Sequence, residues 1–572
     1  MLVRARCNLL PSPLVAGLVK ALVAPILALS LAGCLGNPVH SEAARAPGSS
    51  RGMVRKDTPE EVNIAASRAR AGERAFTWAA WSPETFERAR REGKYLLLDG
   101  AAEWCHWCHV MDETTYLDPE IARILRERFI AVRVDVDEHP DLADRYGDWG
   151  WPATILFSPE GREIGKYRGY LPPDELRTIL EGLESLAKGA PLEAEARGPA
   201  ELPAPVEALG WATGEAVLQL DSYYDAEQGG WGRRQKSPLG AAIEIDLRRA
   251  AHGDAEARKR AVFTLKQQRA LLDPAWGGVY QYSAGSTWDK PHYEKLMAYQ
   301  AANLEAYARG YAATRDAALL ADAQGIARYL GTFLSTPEGA FLPSQDADVG
   351  AHDRKALFVD GDVYYRLEGP ERRKLGVPRV DEHVYAHENG LGIAAFATLY
   401  EVSRDPAALA RAKRAADLVL TRLVAADGTV RRTGSTALYL ADAASLGHAL
   451  VRLAEVSGEA SYRDTAGKIA VAMERDFADA KTGAYFARSQ DASAAGVFAR
   501  RDRPFAHNIM AARFLAALTR ATGDVAPRDR ARRALAAALT PRALTERGRM
   551  VGELLLALDE ASVFPWETLE KH

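Results

Sequence analysis

The chain has 572 residues, 47% of them hydrophobic, which is enough for two or three domains with their own cores. Its 73 basic and 77 acidic residues give a net charge of −4. The sequence has no basic stripe interleaved with aromatic residues, so composition and charge exclude a dedicated nucleic-acid-binding protein.

The N-terminus has the pattern of an export signal. Basic residues precede an uncharged apolar run over residues 21–32, which is short for a membrane span. The run Leu31-Ala32-Gly33-Cys34 at its end resembles the lipobox of bacterial lipoproteins, and the resemblance implies cleavage before Cys34 and acylation of its thiol. We therefore predict a lipoprotein signal peptide over residues 1–33. An uncleaved membrane anchor and an ordinary secretory signal stay open as alternatives.

The predicted lipid anchor at Cys34 makes this an exported, membrane-anchored protein. Leu35 follows that cysteine, where lipoproteins retained at the inner membrane typically have Asp. In a cell with two membranes this indicates the outer membrane, with the protein facing the periplasm. Residues 34–74 are rich in Ala, Gly, Ser, Pro and charge, which predicts a flexible tether.

Predicted helices and strands alternate over residues 75–190. This alternation favours an α/β layer fold of one domain. We predict strands at Tyr95–Asp99, Phe129–Asp135 and Ala153–Phe157, and helices at Pro83–Glu92, Cys105–Tyr116, Glu120–Glu127 and Pro173–Ala187.

Residues 191–204 are rich in Ala, Glu, Pro and Gly, a composition that predicts a linker. Residues 205–572 have an almost entirely helical pattern. Loops in which glycine precedes an aromatic or apolar residue recur in steps of mostly about 50 to 60 residues, the length of two helices and their loops. Six such pairs fit, so we predict a closed, all-α (α/α)6 toroid. The repeated loops are Gly229-Gly230-Trp231, Gly277-Gly278-Val279-Tyr280, Gly339-Ala340-Phe341, Gly428-Thr429-Val430 and Gly483-Ala484-Tyr485.

Cys105 and Cys108 are the only cysteines of the sequence beyond residue 34, so their partners are each other, a metal or a cofactor. A redox Cys-x-x-Cys pair needs a thiol with a lowered pKa, and a helix N-terminus at Cys105 would supply it. Cys108, one turn further on, is then in reach to resolve a mixed disulfide. A protonated His106 between them adds positive charge and favours a more oxidising pair.

The surroundings of this pair resemble thioredoxin. The run from Asp99 to Cys105 has thioredoxin's Asp and Ala-Glu-Trp-Cys spacing, and Trp151-Pro152 stands where its cis-proline is expected. One departure is that His106-Trp107 replaces the usual Gly-Pro. The resemblance implies an attacking thiol at Cys105, a resolving thiol at Cys108, a proton acceptor at Asp99, a substrate-side proline at Pro152 and redox tuning by His106 and Trp104.

Three other interpretations of the pair stay open. Cys105-His106-Trp107-Cys108-His109 also matches the Cys-x-x-Cys-His haem attachment pattern. Zinc bound by both thiols and His109 would need a further ligand such as His106 or His139. An inert, reduced pair is the third. We expect no metal and no cofactor.

Polar residues cluster in or beside the glycine-marked loops of the helical half. Such loops gather at one mouth of a toroid, where carboxylates and imidazoles suit sugar binding and acid–base work. The alternative is that these residues cap helices and satisfy buried backbone. The candidates for a cleft are His292 and Glu294 at a predicted helix start, then Asp346, Asp348, His387, Glu388 and Asn389.

The whole pattern resembles the spermatogenesis-associated protein 20-type family and its bacterial relatives. That resemblance implies a thioredoxin-like domain followed by a six-hairpin toroid similar to those of sugar epimerases and glycosidases. Glu388 stands where the family has Trp, and Gln281 where it has His. The matching runs are Cys105 to Met111, Gly150 to Pro152, Gly229 to Gly232, Pro291 to Lys295, Gln345 to Asp348 and Asn389 to Leu391.

These observations favour an exported thiol–disulfide oxidoreductase that acts on exported protein thiols or disulfides, with a toroid that binds a partner or a glycan. A sugar-acting enzyme with the thioredoxin-like part as an accessory is the alternative, and an interaction scaffold is a third hypothesis. The orientation of Cys105 distinguishes them. If it faces the toroid mouth, the two domains share one substrate.

Overall fold

The computed structural model describes residues 76–147, 150–183, 204–491, 497, 500–564 and 566. The predicted signal peptide, the lipidation site Cys34, the tether and the linker up to residue 203 lie outside the described residues. All described residues belong to one compact unit, Arg55–His572. Among them, no helix combines the length and the apolar character needed to cross a membrane.

The N-terminal domain is a four-stranded sheet in the order β2-β1-β3-β4, with β1 parallel to β2 and antiparallel to β3. Leu97 of β1 faces a core formed with α2, α3 and α5, and its neighbours Leu96 and Leu98 face a second core with α1 and α4. This is the predicted α/β, thioredoxin-like arrangement. Its elements are α1 Pro83–Glu92, β1 Tyr95–Ala101, α2 His106–Glu113, α3 Pro119–Arg128, β2 Phe129–Asp135, α4 Pro140–Tyr146, β3 Ala153–Phe157, β4 Glu163–Arg168 and α5 Pro173–Glu181.

Local chemistry explains these bounds. Ser82 and Asp118 cap α1 and α3 with their side chains, and proline occupies the first helical turn of both. The sequence did not predict α4, which is seven residues long and has no side-chain cap at His139.

The C-terminal domain is a ring of six inner helices surrounded by six outer ones. Each inner helix packs against its two inner neighbours, and the last packs against the first, which closes the ring. The predicted (α/α)6 toroid is therefore confirmed. The inner helices are α7 Gly240–Ala251, α9 Met297–Thr314, α13 Ala386–Ser403, α15 Leu440–Ser457, α17 Phe505–Thr522 and α20 Gly552–Glu560, and the outer helices are α6 Leu209–Ser222, α8 Ala255–Gln267, α10 Ala317–Thr332, α14 Pro406–Leu423, α16 Ala460–Phe477 and α18 Ala526–Ala538.

The two ends of the ring differ in the length of their connections. Each of the first five inner helices joins the next outer helix through two or three residues, and Asp254, Asp316 and Asp405 in these turns cap the outer helices that follow. The connections from outer to inner helices are long and all lie at the opposite end. They hold the short strands β5 Gln235–Lys236, β6 Tyr282–Ala284, β7 Pro291–His292, β8 Lys295–Leu296 and β9 Ser344–Gln345 and the short helices α11 Gly361–Tyr365, α12 Gly369–Leu375 and α19 Pro541–Arg547.

Three of the five repeated glycine loops are turns closed by the following aspartates. Asp225, Asp273 and Asp479 each accept hydrogen bonds from backbone N–H groups two or three residues further along. The second turn is anchored further, because the Asp273 Oδ2 atom accepts hydrogen bonds at 2.7 Å from both Lys295 and Arg372. All three side chains of this triad are fully buried.

Candidate functional site

Cys105 and Cys108 form a disulfide with an S–S distance of 2.03 Å. Cys105 is the N-cap of α2, and its Sγ atom accepts a hydrogen bond from the Cys108 backbone N–H at 3.2 Å. This is the predicted placement at a helix N-terminus, where backbone N–H groups stabilise a thiolate. The Trp151-Pro152 bond is cis, and the Trp151 side chain packs against the cluster that contains both cysteines. The pair therefore has the surroundings of a thioredoxin redox site.

Asp99 is buried in β1 and forms an ion pair with Arg133 at 2.7 Å. Arg133 also binds Asp112 at 2.6 Å. Burial raises the pKa of Asp99, although Arg133 opposes the shift. A carboxyl group with a raised pKa suits the predicted role as a proton acceptor, and that role stays a prediction.

The thioredoxin-like domain meets the toroid at the residues that follow Cys105. The His106 Nδ1 atom lies 2.7 Å from the Asp348 Oδ2 atom, in the loop after β9. His109 lies between two carboxylates, with Nε2 3.7 Å from Asp346 and Nδ1 3.6 Å from Asp348. The structure therefore brings together residues that the sequence predicted separately in the two domains.

The charge on His106 follows from this contact. Burial lowers the pKa of His106, but Asp348 outweighs burial and holds the pKa at about 9. The side chain therefore holds its proton at neutral pH within the Cys-x-x-Cys turn, and redox tuning by His106 stays a prediction. The same pair holds the pKa of Asp348 well below its usual range, against the effect of burial.

His292 and Glu294 line a small cleft of about 150 Å³ beside His106. Burial raises the pKa of Glu294 to about 7 against the opposing charge of His106. Burial and the same charge lower the pKa of His292 to about 4. The expected helix start at these two residues is wrong: His292 is in β7, and α9 begins only at Met297, because Lys295 and Leu296 first pair with β9.

A chamber of about 220 Å³ lies between the two domains. Trp104, Asp137 and Asp144 line it from the thioredoxin-like side, and the Trp104 Nε1 atom donates a hydrogen bond to Asp137 at 2.8 Å. Burial and the nearby Asp135 and Glu388 raise the pKa of Asp137 well above its usual value. From the toroid, the chamber is lined by His387 and Glu388 in the first turn of α13, by His507 in the first turn of α17 and by Arg432 in the loop before α15.

One layer of side chains separates the disulfide from this chamber. Trp104, Val136 and Leu296 line the chamber and also belong to, or pack against, the cluster around Cys105 and Cys108. The two cysteines are only 3% and 4% exposed. The disulfide is therefore buried at the contact between the domains, with Leu296 of the toroid packed against its cluster.

Charged bridges hold the thioredoxin-like domain on the mouth. Arg432 binds the Asp442 carboxylate at 2.8 Å and also donates a hydrogen bond to the Asp137 backbone carbonyl. Further bridges join Arg145 with Asp502 at 2.7 Å, Glu103 with Arg379 at 2.8 Å and Asp144 with His507 at 2.8 Å.

The remaining predicted cleft residue, Asn389, has a structural environment. Its side chain bonds the backbone N–H and C=O of Phe341 and the carbonyl of Tyr385, and it is fully buried. Two of the chamber residues, Asp137 and Arg432, are not among the site residues predicted from the sequence. Asp137 carried a signal, because it follows β2 at the carboxyl edge of a parallel strand pair, where sites in α/β folds form.

The chain is similar to several known proteins. Residues 68–189 match the family described as "Thioredox_DsbH: Protein of unknown function, DUF255". A stretch of 85 residues is 39% identical to thiol:disulfide interchange protein DsbD 1 of Pseudomonas aeruginosa and covers 14% of each chain. The crystal structure of a D-mannose isomerase superposes on this chain with a TM-score of 0.48 at 12% identity. The superposition covers 62% of this chain and 97% of the isomerase.

The chain thus combines a thioredoxin-like domain with a six-hairpin toroid. It is homologous over about half of its length to spermatogenesis-associated protein 20. The human protein of that name is 28% identical over 310 residues, which are 47% of this chain and 39% of the relative. The matched region therefore spans less than half of that relative.

Proposed function

We propose that this protein is a thiol–disulfide oxidoreductase whose reactive pair is Cys105–Cys108, buried where the two domains meet and one layer of side chains away from the chamber. The observation that carries the proposal is the position of the disulfide: Cys105 is the N-cap of α2, the cis Trp151-Pro152 bond stands beside it, and Leu296 of the toroid packs against its cluster. A buried pair under a toroid selects its substrates by access as well as by redox potential.

The exchange needs only the two cysteines and a substrate disulfide. The Cys105 thiolate attacks one substrate sulfur, forms a mixed disulfide and displaces the other sulfur as a thiolate. Cys108 then attacks the Cys105 sulfur, and the substrate leaves as a dithiol while the pair closes to its disulfide. Two electrons pass from the pair to the substrate, and the reverse sequence oxidises a substrate dithiol.

A titration in graded glutathione redox buffers tests the proposal. After equilibration, free thiols are alkylated, and the mass of the peptide that contains Cys105 and Cys108 is measured by mass spectrometry. We expect a single reversible transition between a doubly alkylated form and a disulfide. A pair that stays in one state over the whole range of buffers would contradict a redox role.

A second candidate function is acid–base chemistry on a sugar in the same chamber. The observation that favours it concerns two residues that line the chamber. The Glu388 Oε2 and His387 Nδ1 atoms are buried and make no hydrogen bond within the described part of the chain. Loss of glycan binding in Glu388→Gln, with Cys105→Ser unchanged, would favour this candidate. The converse pattern would favour the redox function.

We also propose export and lipid anchoring at Cys34, on the strength of the apolar run and the lipobox-like sequence. Exported thiols and disulfides are then the natural partners. In cells fed a labelled fatty acid, the protein is expected to carry the label and Cys34→Ser to lose it. Label retained by Cys34→Ser would refute anchoring at this residue.

A further inference from the structure

Two histidines and an aspartate converge where α2 meets the toroid. The potential ligand atoms of His109, Asp346 and His352 all lie within 4.8 Å of one another. His109 comes from the thioredoxin-like domain, one residue after Cys108, and the other two come from the loop after β9. The cluster is separate from the sulfur atoms and from the chamber of the proposed function.

The environment of His109 is unusual for a buried imidazole. The residue is 7% exposed, and neither ring nitrogen makes a hydrogen bond within the described part of the chain. The two nitrogens lie 3.7 Å and 3.6 Å from the carboxylates of Asp346 and Asp348, too far for hydrogen bonds. The two carboxylates pair with the ring by charge alone, and a buried imidazole without a hydrogen bond is costly. An ion between the ring and Asp346 would give the ring a direct ligand contact.

The spacing fits coordination to one ion. The Asp346 Oδ2 atom lies 3.7 Å from His109 Nε2 and 3.0 Å from His352 Nε2. Zinc bonds of about 2.0–2.1 Å to imidazole and about 2.0–2.2 Å to carboxylate place neighbouring ligands of a tetrahedral ion about 3.3 Å apart. The observed separations lie on both sides of that value.

The surroundings also suit a metal centre. The Asp346 Oδ1 atom accepts a hydrogen bond from the Asp348 backbone N–H, which orients Oδ2 toward the two rings. Asp348 faces the other nitrogen of His109, the position from which a carboxylate orients a metal-bound imidazole. The His352 side chain is 24% exposed and offers an entry path. Two imidazoles, one carboxylate and an open position make a set that Zn²⁺ and Fe²⁺ prefer.

We propose that His109, Asp346 and His352 bind one divalent transition-metal ion, of which Zn²⁺ is the test case, with Asp348 as a positioning residue. The ion joins α2, which follows Cys105, to a loop of the toroid. Its binding therefore ties the thioredoxin-like domain to the toroid.

The test titrates Zn²⁺ and Co²⁺ into the full chain after treatment with a chelator, with the disulfide intact so that no thiol of the pair is available. We expect one ion per chain by calorimetry and visible Co²⁺ absorption without thiolate charge-transfer bands. His352→Ala, at the partly exposed position, is expected to weaken binding at least about 10-fold, and Asp348→Asn about 10- to 100-fold. Circular dichroism checks that both variants fold.

The matched control is His383→Ala. His383 also pairs with an aspartate, Asp381 at 2.6 Å, but is not part of the proposed metal site. This variant is expected to bind Zn²⁺ as the unaltered chain does. The proposal is overturned if the unaltered chain binds no Zn²⁺, if His352→Ala binds as tightly as His383→Ala, or if the Co²⁺ spectrum shows thiolate ligands.

Discussion

Replacing Cys105 by Ser is expected to lower the rate of disulfide exchange at least about 100-fold, because a serine hydroxyl does not attack a disulfide sulfur. Cys108→Ser is expected to stop at the mixed disulfide, since nothing then resolves it. The measurement follows reduction of a model disulfide substrate and looks for a covalent adduct at Cys105 by non-reducing electrophoresis and mass spectrometry.

Cys34→Ser is the matched control, because it makes the same replacement outside the described domains and is expected to keep the exchange rate. If Cys105→Ser retained the rate, or if the adduct formed at Cys105 in no variant, the assignment of Cys105 as the attacking thiol would be wrong. Adducts at Cys108 in the Cys105→Ser variant would reverse the order of the two thiols.

Asp273→Asn is expected to destabilise the toroid by about 3–5 kcal/mol, because it leaves two buried cations without their counter-charge. Lys295 and Arg372 both bind Asp273 Oδ2 at 2.7 Å, and both are fully buried. Burial raises the pKa of Asp273, but the two cations outweigh burial and the pKa lies below its usual value. The measurement is the urea concentration at the midpoint of unfolding.

Asp427→Asn is the matched control. Asp427 also caps its own turn and binds an arginine, but its side chain is 56% exposed, and exposed ion pairs contribute little. Its midpoint is expected to stay unchanged. Equal shifts in the two variants would show that the buried triad has no special role.

The effect of Asp273→Asn also depends on pH. Burial lowers the pKa of Lys295 to about 8, although Asp273 opposes the shift. Without Asp273 this pKa falls further, so Lys295 of the folded variant loses its proton below pH 8 while the unfolded chain keeps it. Stability rises with pH wherever the unfolded state binds more protons. The deficit of the variant is therefore expected to shrink as the pH rises toward about 8.

The sequence was sufficient for the parts that local chemistry determines. The bounds of β2 and β3 follow from runs of β-branched and apolar residues, and those of α1 from Ser82, proline and the following glycine. The cis bond at Pro152 followed from the thioredoxin pattern. The six-hairpin ring was predicted from the spacing of the glycine loops. Side chains within each of these loops accept the hydrogen bonds that close its turn.

The sequence could not predict which loops meet the thioredoxin-like domain. The contact of His106 with Asp348 joins residues 242 positions apart, and that of Arg432 with Asp137 joins residues 295 apart. No local pattern encodes such separations. The same limit applies to the inner helices, where a side chain at Gly447 would lie 2.4 Å from the Phe514 ring, so that glycine is required by a neighbour far along the chain.

The cover over the cysteines has a kinetic consequence. Because Cys105 and Cys108 are only 3% and 4% exposed, we expect a reductant to reach them only after the two domains move apart, so that reduction proceeds in two successive events, opening and chemistry. When the reductant is dilute, the observed rate rises with its concentration; when it is abundant, the rate levels off at the frequency of opening. The time that the two domains spend apart would then decide which reductants react. That time depends on the ion pairs between the domains as much as the chemistry depends on the sulfur atoms.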